Sequence, residues 1–364
     1  MATIFSEVRH NPLLWLLVFV PGLFIAHAAR PESHTMLFVV SVLAIVPLAA
    51  LLSLATESVA AKTGDAVGGL LNATLGNLTE LVIALAALQA GQYMLVKASV
   101  AGAIVANSLF MLGMSFLLGG LKHHVQEFNR VSSRLQASLL FLATIALLMP
   151  SAISLADEGP AGQFSEKLSL ALSGLLILAY ALGMLFSLKT HKELFAAVGH
   201  GHEEEPPFPV GVALVTLAIV TVLVALVSEV FVESVQKAAE SFGMTPAFVG
   251  FIVVALVGGA AEMASAFSGA RKNRLDLSVG IALGSASQIA LFVAPVLVLL
   301  SYVIGPTPMD LRLWPGAILM MLIAALTAVL VTNSGRSTWF LGSLVLMVYS
   351  IFAMTLYLLP PAAQ

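Results

Sequence analysis

Two glutamates lie inside long apolar stretches of this sequence. Glu80 lies in GNLTELVIAL, residues 76–85, and Glu262 lies in GGAAEMASAF, residues 258–267. A charged side chain near the centre of a bilayer costs about 2.5 kcal/mol or more, and intramembrane carboxylates are functional by default. If both stretches cross a membrane, the two carboxylates must be neutralised, and either a bound cation or a proton can do so.

Side chains with amide or hydroxyl oxygens accompany both glutamates. A ligand set made only of oxygen selects hard cations such as calcium, magnesium and manganese. The sequence has no cysteine and no histidine deep in an apolar stretch, which argues against a zinc or copper site. For Thr74, a hydroxyl bonded back to the preceding helical turn is the competing interpretation. The candidate cation-binding residues are Glu80, Glu262, Asn77, Thr74, Asn107, Ser285 and Gln288.

The two carboxylates are also the candidates for proton coupling. Glu80 and Glu262 would repel each other if they face one another, and poor hydration would favour their protonated forms when no cation is bound. Protons shared by such a pair belong to the pair rather than to one residue. Alternate occupancy by a cation or by protons is the chemistry that coupled exchange requires.

Composition and hydropathy predict the elements that carry these residues. The 364 residues are 59% hydrophobic and 10% charged, whereas globular proteins carry about 25% charged residues. A soluble globular protein is therefore excluded, and an all-α membrane protein is predicted. About eleven apolar runs are long enough to cross a bilayer: residues 12–29, 36–55, 66–90, 97–120, 133–153, 166–188, 208–234, 243–270, 276–304, 312–332 and 337–359.

The distribution of lysine and arginine predicts a cytoplasmic N-terminus. One side of the topology collects Arg9, Lys62, Lys122, Arg130, Arg134, Lys189, Lys192, Arg271, Lys272, Arg274 and Arg336, and the other only Arg30, Lys97, Lys167, Lys237 and Arg312. In a bacterium or archaeon the membrane would be the plasma membrane. Residues 1–28 could instead be a removed signal peptide, but Glu7 and Pro21 depart from that pattern, and a retained helix is favoured.

The glutamate motifs recur in the same order in two parts of the chain. GNLTELVIAL is followed by ASVAGAIVANSLF (98–110), and GGAAEMASAF is followed by LSVGIALGSASQIALF (277–292). Each part holds five predicted helices, and an odd number makes the second part cross the membrane upside down, as in transporters with sites at the repeat interface. The predicted organisation is an N-terminal helix (1–35), a first repeat (36–188), a cytoplasmic linker (189–207) and a second, inverted repeat (208–364).

These motifs resemble the calcium/cation antiporter superfamily, specifically its calcium/proton exchanger branch. The stretch GGLLNATLGNLTELVIALAAL (68–88) is similar to the first repeat motif of that branch. VGGAAEMASA (257–266) and GSASQIALFVAP (284–295) resemble the second repeat, and NSGRSTWFLG (333–342) resembles the last loop. The resemblance implies one leading helix plus two inverted five-helix repeats, and calcium expelled from the cytoplasm in exchange for protons. It also implies that Glu80 and Glu262 are shared ligands of calcium and protons, flanked by Asn77, Asn107 and Gln288.

The chain departs from the family pattern at two positions. The second motif usually has asparagine where this chain has Gly259, and the fourth span has Ala103 where serine is common. One amide and one hydroxyl are therefore missing from the expected lining, which leaves ion selectivity open.

Other acidic residues lie farther from the motifs. Glu57, Glu229 and Glu233 lie near predicted span ends, where we expect a solvated vestibule. In the linker, a cytoplasmic cation sensor is one interpretation and a solvated linker is the more economical one. The sensor would comprise His200, His202, Glu203, Glu204 and Glu205.

The sequence therefore predicts a secondary antiporter that exports calcium in exchange for protons. Antiport of manganese or cadmium and sodium-coupled calcium exchange are alternatives, and a passive cation channel is a weaker one. No phosphate-binding loop or zinc-protease motif is present, so neither ATP use nor an enzyme is expected. We expect no cofactor and no nucleic-acid partner; the partners are calcium, protons and the lipid bilayer.

Overall fold

The computed structural model describes residues 11–63, 68, 70–71, 74–156, 161–195 and 208–358. Nearly all of them are helical, with two three-residue strands. The helices are α1 Pro12–Ala29, α2 His34–Ala60, α3 Leu78–Gln89, α4 Tyr93–His123, α5 Arg130–Ala156, α6 Ala161–Leu185, α7 Val210–Ser241, α8 Pro246–Gly258, α9 Ala260–Arg271, α10 Leu275–Ile304, α11 Pro315–Thr332 and α12 Trp339–Leu358. The strands are β1 Val125–Glu127 and β2 Arg336–Thr338.

The helices have the length and surface of membrane spans. Within the described residues, nine are long and apolar enough to cross a bilayer, and α8 and α9 together form a tenth apolar segment. Large apolar side chains point outward, as at Val303 (85% exposed), Leu358 (76%) and Leu330 (75%). In water such a surface would be unfavourable by about 25 cal/mol per Å². The prediction of an all-α membrane protein is confirmed.

Two of the predicted spans are interrupted rather than continuous. The predicted span 243–270 is divided at Gly259 into α8 and α9, which are bent by 59°. In the predicted span 66–90, the described residues 74–75 are helical, 76–77 form a turn, and α3 begins at Leu78. The breaks arise because glycine and asparagine are weak helix formers, and here Gly259 and Asn77 leave helical backbone angles (φ −81°, ψ 5° and φ −96°, ψ 26°). Mean hydropathy over a window does not reveal such a turn.

Helices α2 and α7 pack against each other along much of their length. Phe38 and Phe231 stack between them, with ring centroids 5.5 Å apart. Helix α7 also contacts α3, and α2 contacts α9, so each glutamate-bearing helix packs on one of these two long helices. Helix α4 crosses α8 at Gly102, where a Cβ atom would lie 2.1 Å from the Phe251 carbonyl oxygen. Only a glycine permits this close approach of two backbones.

Loops at one end of the bundle are held together by the paired strands. Strands β1 and β2 form an antiparallel pair, and Glu127 and Arg336 approach to 2.8 Å. The Lys122 ammonium donates to the Arg271 carbonyl oxygen at 2.9 Å. Lys122, Arg271 and Arg336 therefore meet at one end, as the predicted topology requires of residues on one side of a membrane.

At the other end, residues 305–314 cross the helix ends as an extended strap. Its alternate backbone N–H groups donate to serine hydroxyls from three different helices. These bonds run from Met309 to Ser301 (2.8 Å), from Leu311 to Ser169 (3.0 Å) and from Leu313 to Ser151 (2.7 Å). Such bonds satisfy backbone donors that no sheet or helix would pair, and they tie α10, α6 and α5 together.

Asp310 anchors this strap. Its carboxylate accepts from the Lys97 ammonium and from the Arg312 side chain, each at 2.5 Å. Burial alone would raise the pKa of Asp310, but hydrogen bonds from Lys97 and Arg312, together with their positive charges, outweigh burial and lower it. The carboxylate is therefore ionised at neutral pH and holds the start of α4 against the strap.

Candidate cation site

The two glutamates occupy the same position in two half-helices. Asn77 precedes α3 and Gly259 precedes α9, so Glu80 and Glu262 are each the third residue of a helix that starts inside the bundle. The first turn of a helix presents unpaired N–H groups and partial positive charge, which stabilise a carboxylate by about 0.3–1 kcal/mol. The backbone breaks therefore place both carboxylates where the local field favours negative charge.

A chain of hydrogen bonds joins three helices beside the glutamates. The Asn107 amide nitrogen on α4 donates to the Ser285 hydroxyl on α10 at 2.8 Å, and that hydroxyl donates to the Asn77 carbonyl oxygen at 2.7 Å. The Asn77 nitrogen then donates to the Gln288 carbonyl oxygen at 2.7 Å. Asn77 and Asn107 are 1% exposed and Ser285 is 4% exposed. Buried bonds of this kind fix the amide orientations, because each lost partner would leave a buried polar group unsatisfied.

Wider π-helical turns shape this part of the bundle. They occur at Ala106–Met111 in α4, at Val249–Val254 in α8 and at Ile289–Val293 in α10. Asn107 lies within the first of these turns, and Gln288 directly precedes the third. A π turn re-aims side chains and is frequently found at functional sites. Here it orients the two amides that α4 and α10 contribute.

Two buried oxygens of the site have no hydrogen-bond partner. These are Asn107 Oδ1 and Glu262 Oε2. A buried acceptor left unpaired costs about 1–3 kcal/mol, and Glu262 is also repelled by Glu80. Among the described residues no group of three or more His, Cys, Asp or Glu side chains could hold a metal. The two carboxylates and the neutral oxygens beside them are ligands of the kind that hard cations prefer, and the carboxylates can also bind protons.

Glycines at the α8–α9 break pack directly on the site. A Cβ atom at Gly258 would lie 3.0 Å from Glu80 Cγ, and one at Gly259 would lie 3.5 Å from Asn107 Oδ1. The Glu80 side chain and the Asn107 amide therefore pack against the backbone at the break. The Gly-Gly pair could have signalled a close approach, but its partners could not be read from the sequence.

The sequence matches a known protein family over most of its length. The pattern of the family described as "Sodium/calcium exchanger protein" matches residues 33–189 and 212–358. The chain belongs to this family. It is 39% identical over 359 residues to the "Ca(2+)/H(+) antiporter" of Aphanothece halophytica, covering 95% of this chain and 96% of the relative. It is 41% identical over 327 residues to the "Ca(2+)/H(+) antiporter ChaA" of Bacillus subtilis, covering 89% and 92%.

A solved structure supports the same family membership. The structure of native YfkE superposes with a TM-score of 0.83 at 36% identity and covers 96% of this chain and 100% of that chain. The expected resemblance to the calcium/proton exchanger branch is confirmed. The relatives in question are named as transporters rather than enzymes.

Several other residues that the sequence predicts to bind cations or to line the entrances lie apart from the hydrogen-bonded chain. The Thr74 hydroxyl donates to the Leu70 carbonyl oxygen at 2.8 Å, in the back-bonded geometry that was the competing interpretation. Glu57 lies on α2, where Ser53 donates to it at 3.1 Å, and its charge acts on Glu262. The α7 carboxylates Glu229 and Glu233 are exposed. The five candidate sensor residues, His200, His202, Glu203, Glu204 and Glu205, lie outside the described residues.

Proposed function

We propose that this chain is a secondary antiporter that exports calcium from the cytoplasm in exchange for protons. The observation that carries the proposal is the pair Glu80 and Glu262, each the third residue of a half-helix inside the bundle, beside the unpaired Asn107 Oδ1. Antiport of calcium and protons is also the activity that relatives 39–41% identical are named for. No other pair of carboxylates among the described residues combines these features.

In the proposed mechanism, calcium and protons compete for the same carboxylates. Calcium takes 6–8 oxygen ligands at about 2.3–2.6 Å, and Glu80, Glu262 and the Asn107 carbonyl oxygen would supply part of that set. Asn77 and Ser285 orient the neighbouring amides through the hydrogen-bonded chain, and Gln288 closes it. When the cation leaves, protons neutralise the carboxylate pair. Either occupant removes the charge whose burial is unfavourable, so the empty charged pair is the state that the protein avoids.

We further propose that residues 36–188 and 208–364 are inverted repeats and that transport proceeds by alternating access. Support comes from matched contacts: α2 packs on α9, while its counterpart α7 packs on α3. A cation held at the interface of inverted repeats can be exposed to either side by movement of one bundle against the other. Glu57 and the pair Glu229 and Glu233 would then act as vestibule carboxylates at the two entrances.

We place the protein in the plasma membrane of a bacterium or archaeon with its N-terminus in the cytoplasm. The supporting observations are the bacterial relatives and the excess of lysine and arginine in loops at the β1–β2 end. This end would face the cytoplasm, and the strap at residues 305–314 would face outward.

The test is calcium uptake into everted vesicles under an imposed proton gradient, comparing the parent with Glu80→Gln. We expect gradient-driven uptake in the parent and its loss in the variant, because a neutral amide can neither exchange a proton nor balance calcium. Glu240→Gln, at the exposed end of α7 and away from the site, is the matched control and should transport like the parent. Uptake that follows the calcium concentration and ignores the proton gradient would refute antiport and favour a channel. Gradient-driven uptake of manganese or cadmium without calcium would reassign the transported ion.

A further inference from the structure

Each end of the hydrogen-bonded chain lies next to a pair of packed aromatic rings. Asn107 on α4 and Gln288 on α10 are the terminal members, so within the chain each is held by one neighbour only. Phe110 follows Asn107 by three residues, and Phe292 follows Gln288 by four. Residues at this spacing lie about one turn apart on the same side of a helix. Each phenylalanine therefore lies directly beyond a terminal amide.

Two buried tyrosines cover these phenylalanines. Tyr349 on α12 packs on Phe110 with ring centroids 5.2 Å apart and 45° between the ring planes. Tyr180 on α6 stacks on Phe292 with the same centroid separation and 30° between the planes. Tyr349 is 6% exposed and Tyr180 is 8% exposed. Aromatic pairs at such separations attract each other beyond the apolar area that they bury, so each phenylalanine is held by a ring from another helix.

The two aromatic pairs occupy corresponding places in the two halves of the chain. Helix α6 is the last helix of the proposed first repeat and packs on α10 of the second. Helix α12 is the last helix of the second repeat and packs on α4 of the first. The dipeptide Leu-Phe recurs at 109–110 and at 291–292. Each half therefore contributes one tyrosine to the amide-bearing helix of the other half.

The covered phenylalanines lie where the helices are least regular. Phe110 lies within the π turn of α4, and Phe292 lies within the π turn of α10. The π-helical pattern is rare and occurs mostly as single turns inside α-helices. The shape of such a turn therefore depends on the side chains that pack against it. Here the packed side chains are the tyrosine rings, and the neighbouring residues are the two terminal amides.

The tyrosines make these contacts through their rings. Neither hydroxyl oxygen has a hydrogen-bond partner among the described residues. The Thr74 hydroxyl lies close enough to influence that of Tyr180, but no hydrogen bond joins them, and Thr74 donates to the Leu70 carbonyl oxygen. A buried hydroxyl without a partner is unfavourable. A phenylalanine at position 180 or 349 would therefore keep the ring contact and lose no hydrogen bond.

We propose that Tyr349 and Tyr180 are positioning residues of the cation site, which hold the Asn107 and Gln288 amides at the two ends of the hydrogen-bonded chain. This role rests on the proposed function of the site, and neither tyrosine binds the cation itself. Without the ring, the phenylalanine and its π turn are free to shift, and the amide shifts with them. Calcium–oxygen distances span only about 0.3 Å, so a small displacement at this place weakens cation binding.

The test is a calcium titration of proton-driven uptake in vesicles. Tyr349→Leu should raise the calcium concentration at half-maximal uptake about threefold to tenfold, with a smaller change in maximal uptake, because one aromatic contact is lost. Tyr349→Phe keeps the ring and should stay within about twofold of the parent. Tyr357→Leu is the matched control, since Tyr357 lies on the same helix and packs on Phe248 at 5.4 Å, but is 51% exposed and two turns beyond Tyr349. It should titrate like the parent.

A double-mutant cycle tests whether the effect is transmitted through the amide. In protein that already carries Asn107→Ala, Tyr349→Leu should raise the half-maximal calcium concentration little further. The same rise in both backgrounds would overturn the inference, and so would equal losses in Tyr349→Leu and Tyr349→Phe. Thermal unfolding is measured in parallel, because lower stability with an unchanged calcium titration would show a merely structural role and would also overturn it.

Variants at the partner ring and at the other end of the chain complete the test. If Tyr349→Leu is not monodisperse, Phe110→Leu removes the same contact from α4 and should produce the same rise; an unchanged titration then overturns the inference. Tyr180→Leu and Tyr180→Phe repeat the comparison at the Gln288 end. A parent without calcium/proton exchange overturns the proposed function and this inference together. A parent with normal exchange whose leucine variants titrate like it overturns this inference alone.

Discussion

Substitution of Gly258 by alanine should impair the site without harming the fold. The added Cβ would lie 3.0 Å from Glu80 Cγ, 3.4 Å from its Cδ and 3.6 Å from its Oε1. Carbon atoms pack at about 3.5–4.0 Å, so the Glu80 side chain must retreat by roughly half an ångström. Calcium–oxygen distances span only about 0.3 Å, and the displacement exceeds that range. Alanine is also the better helix former, so folding should not suffer.

The expected result is a loss of calcium affinity with retained folding. Weakening one carboxylate ligand by about 1.4–2.8 kcal/mol corresponds to a tenfold to hundredfold higher calcium concentration at half-maximal proton-driven uptake. The assay is a calcium titration of uptake in vesicles, with protein amount and monodispersity measured in parallel. Gly280→Ala on α10 is the matched control, because an added Cβ there meets nothing within 4 Å. Parent-like calcium dependence in Gly258→Ala, or the same loss in Gly280→Ala, would refute the proposed contact between the helix break and Glu80.

Two other substitutions test the packing and the strap. Gly102→Ala would put a Cβ 2.1 Å from the Phe251 carbonyl oxygen, so we expect the yield of monodisperse protein to be lost. The control Gly174→Ala, whose added Cβ would meet nothing within 4 Å, should give the yield of the parent. Equal yields of the two variants would contradict the close crossing of α4 and α8. Asp310→Asn removes the charged partner of Lys97 and should lower stability at neutral pH by about 1.5–3 kcal/mol. Because the pKa of Asp310 is lowered in the folded state, its contribution is present above the usual aspartate pKa near 4 and is lost as the pH falls through the lowered value. Thermal unfolding should therefore separate parent and variant at pH 7 and bring them together in acid; a constant difference at all pH values would contradict the ion pair.

The sequence by itself determined the class of the protein and indicated the residues proposed for its central chemistry. A chain that is 59% hydrophobic and only 10% charged indicates a membrane environment, and in that environment Glu80 and Glu262 stand out because a buried carboxylate needs a partner. Asn77 and Gly259 hold corresponding places in the two recurring motifs, and this correspondence can be read from the chain alone. These features are local or compositional, and no contact has to be known to read them.

The tertiary structure decided which of these residues act on one another. Asn77 and Gln288 are 211 positions apart in the chain and meet only because α3 and α10 cross beside the glutamates. The contact of Gly258 with Glu80 and the unpaired oxygen of Asn107 likewise depend on how α8 and α9 bend at their break. Hydropathy predicts which segments are helices in the membrane, but it predicts neither the crossing angles of those helices nor the contacts between their side chains. The packing of the two halves therefore decides which side chains share the proposed site.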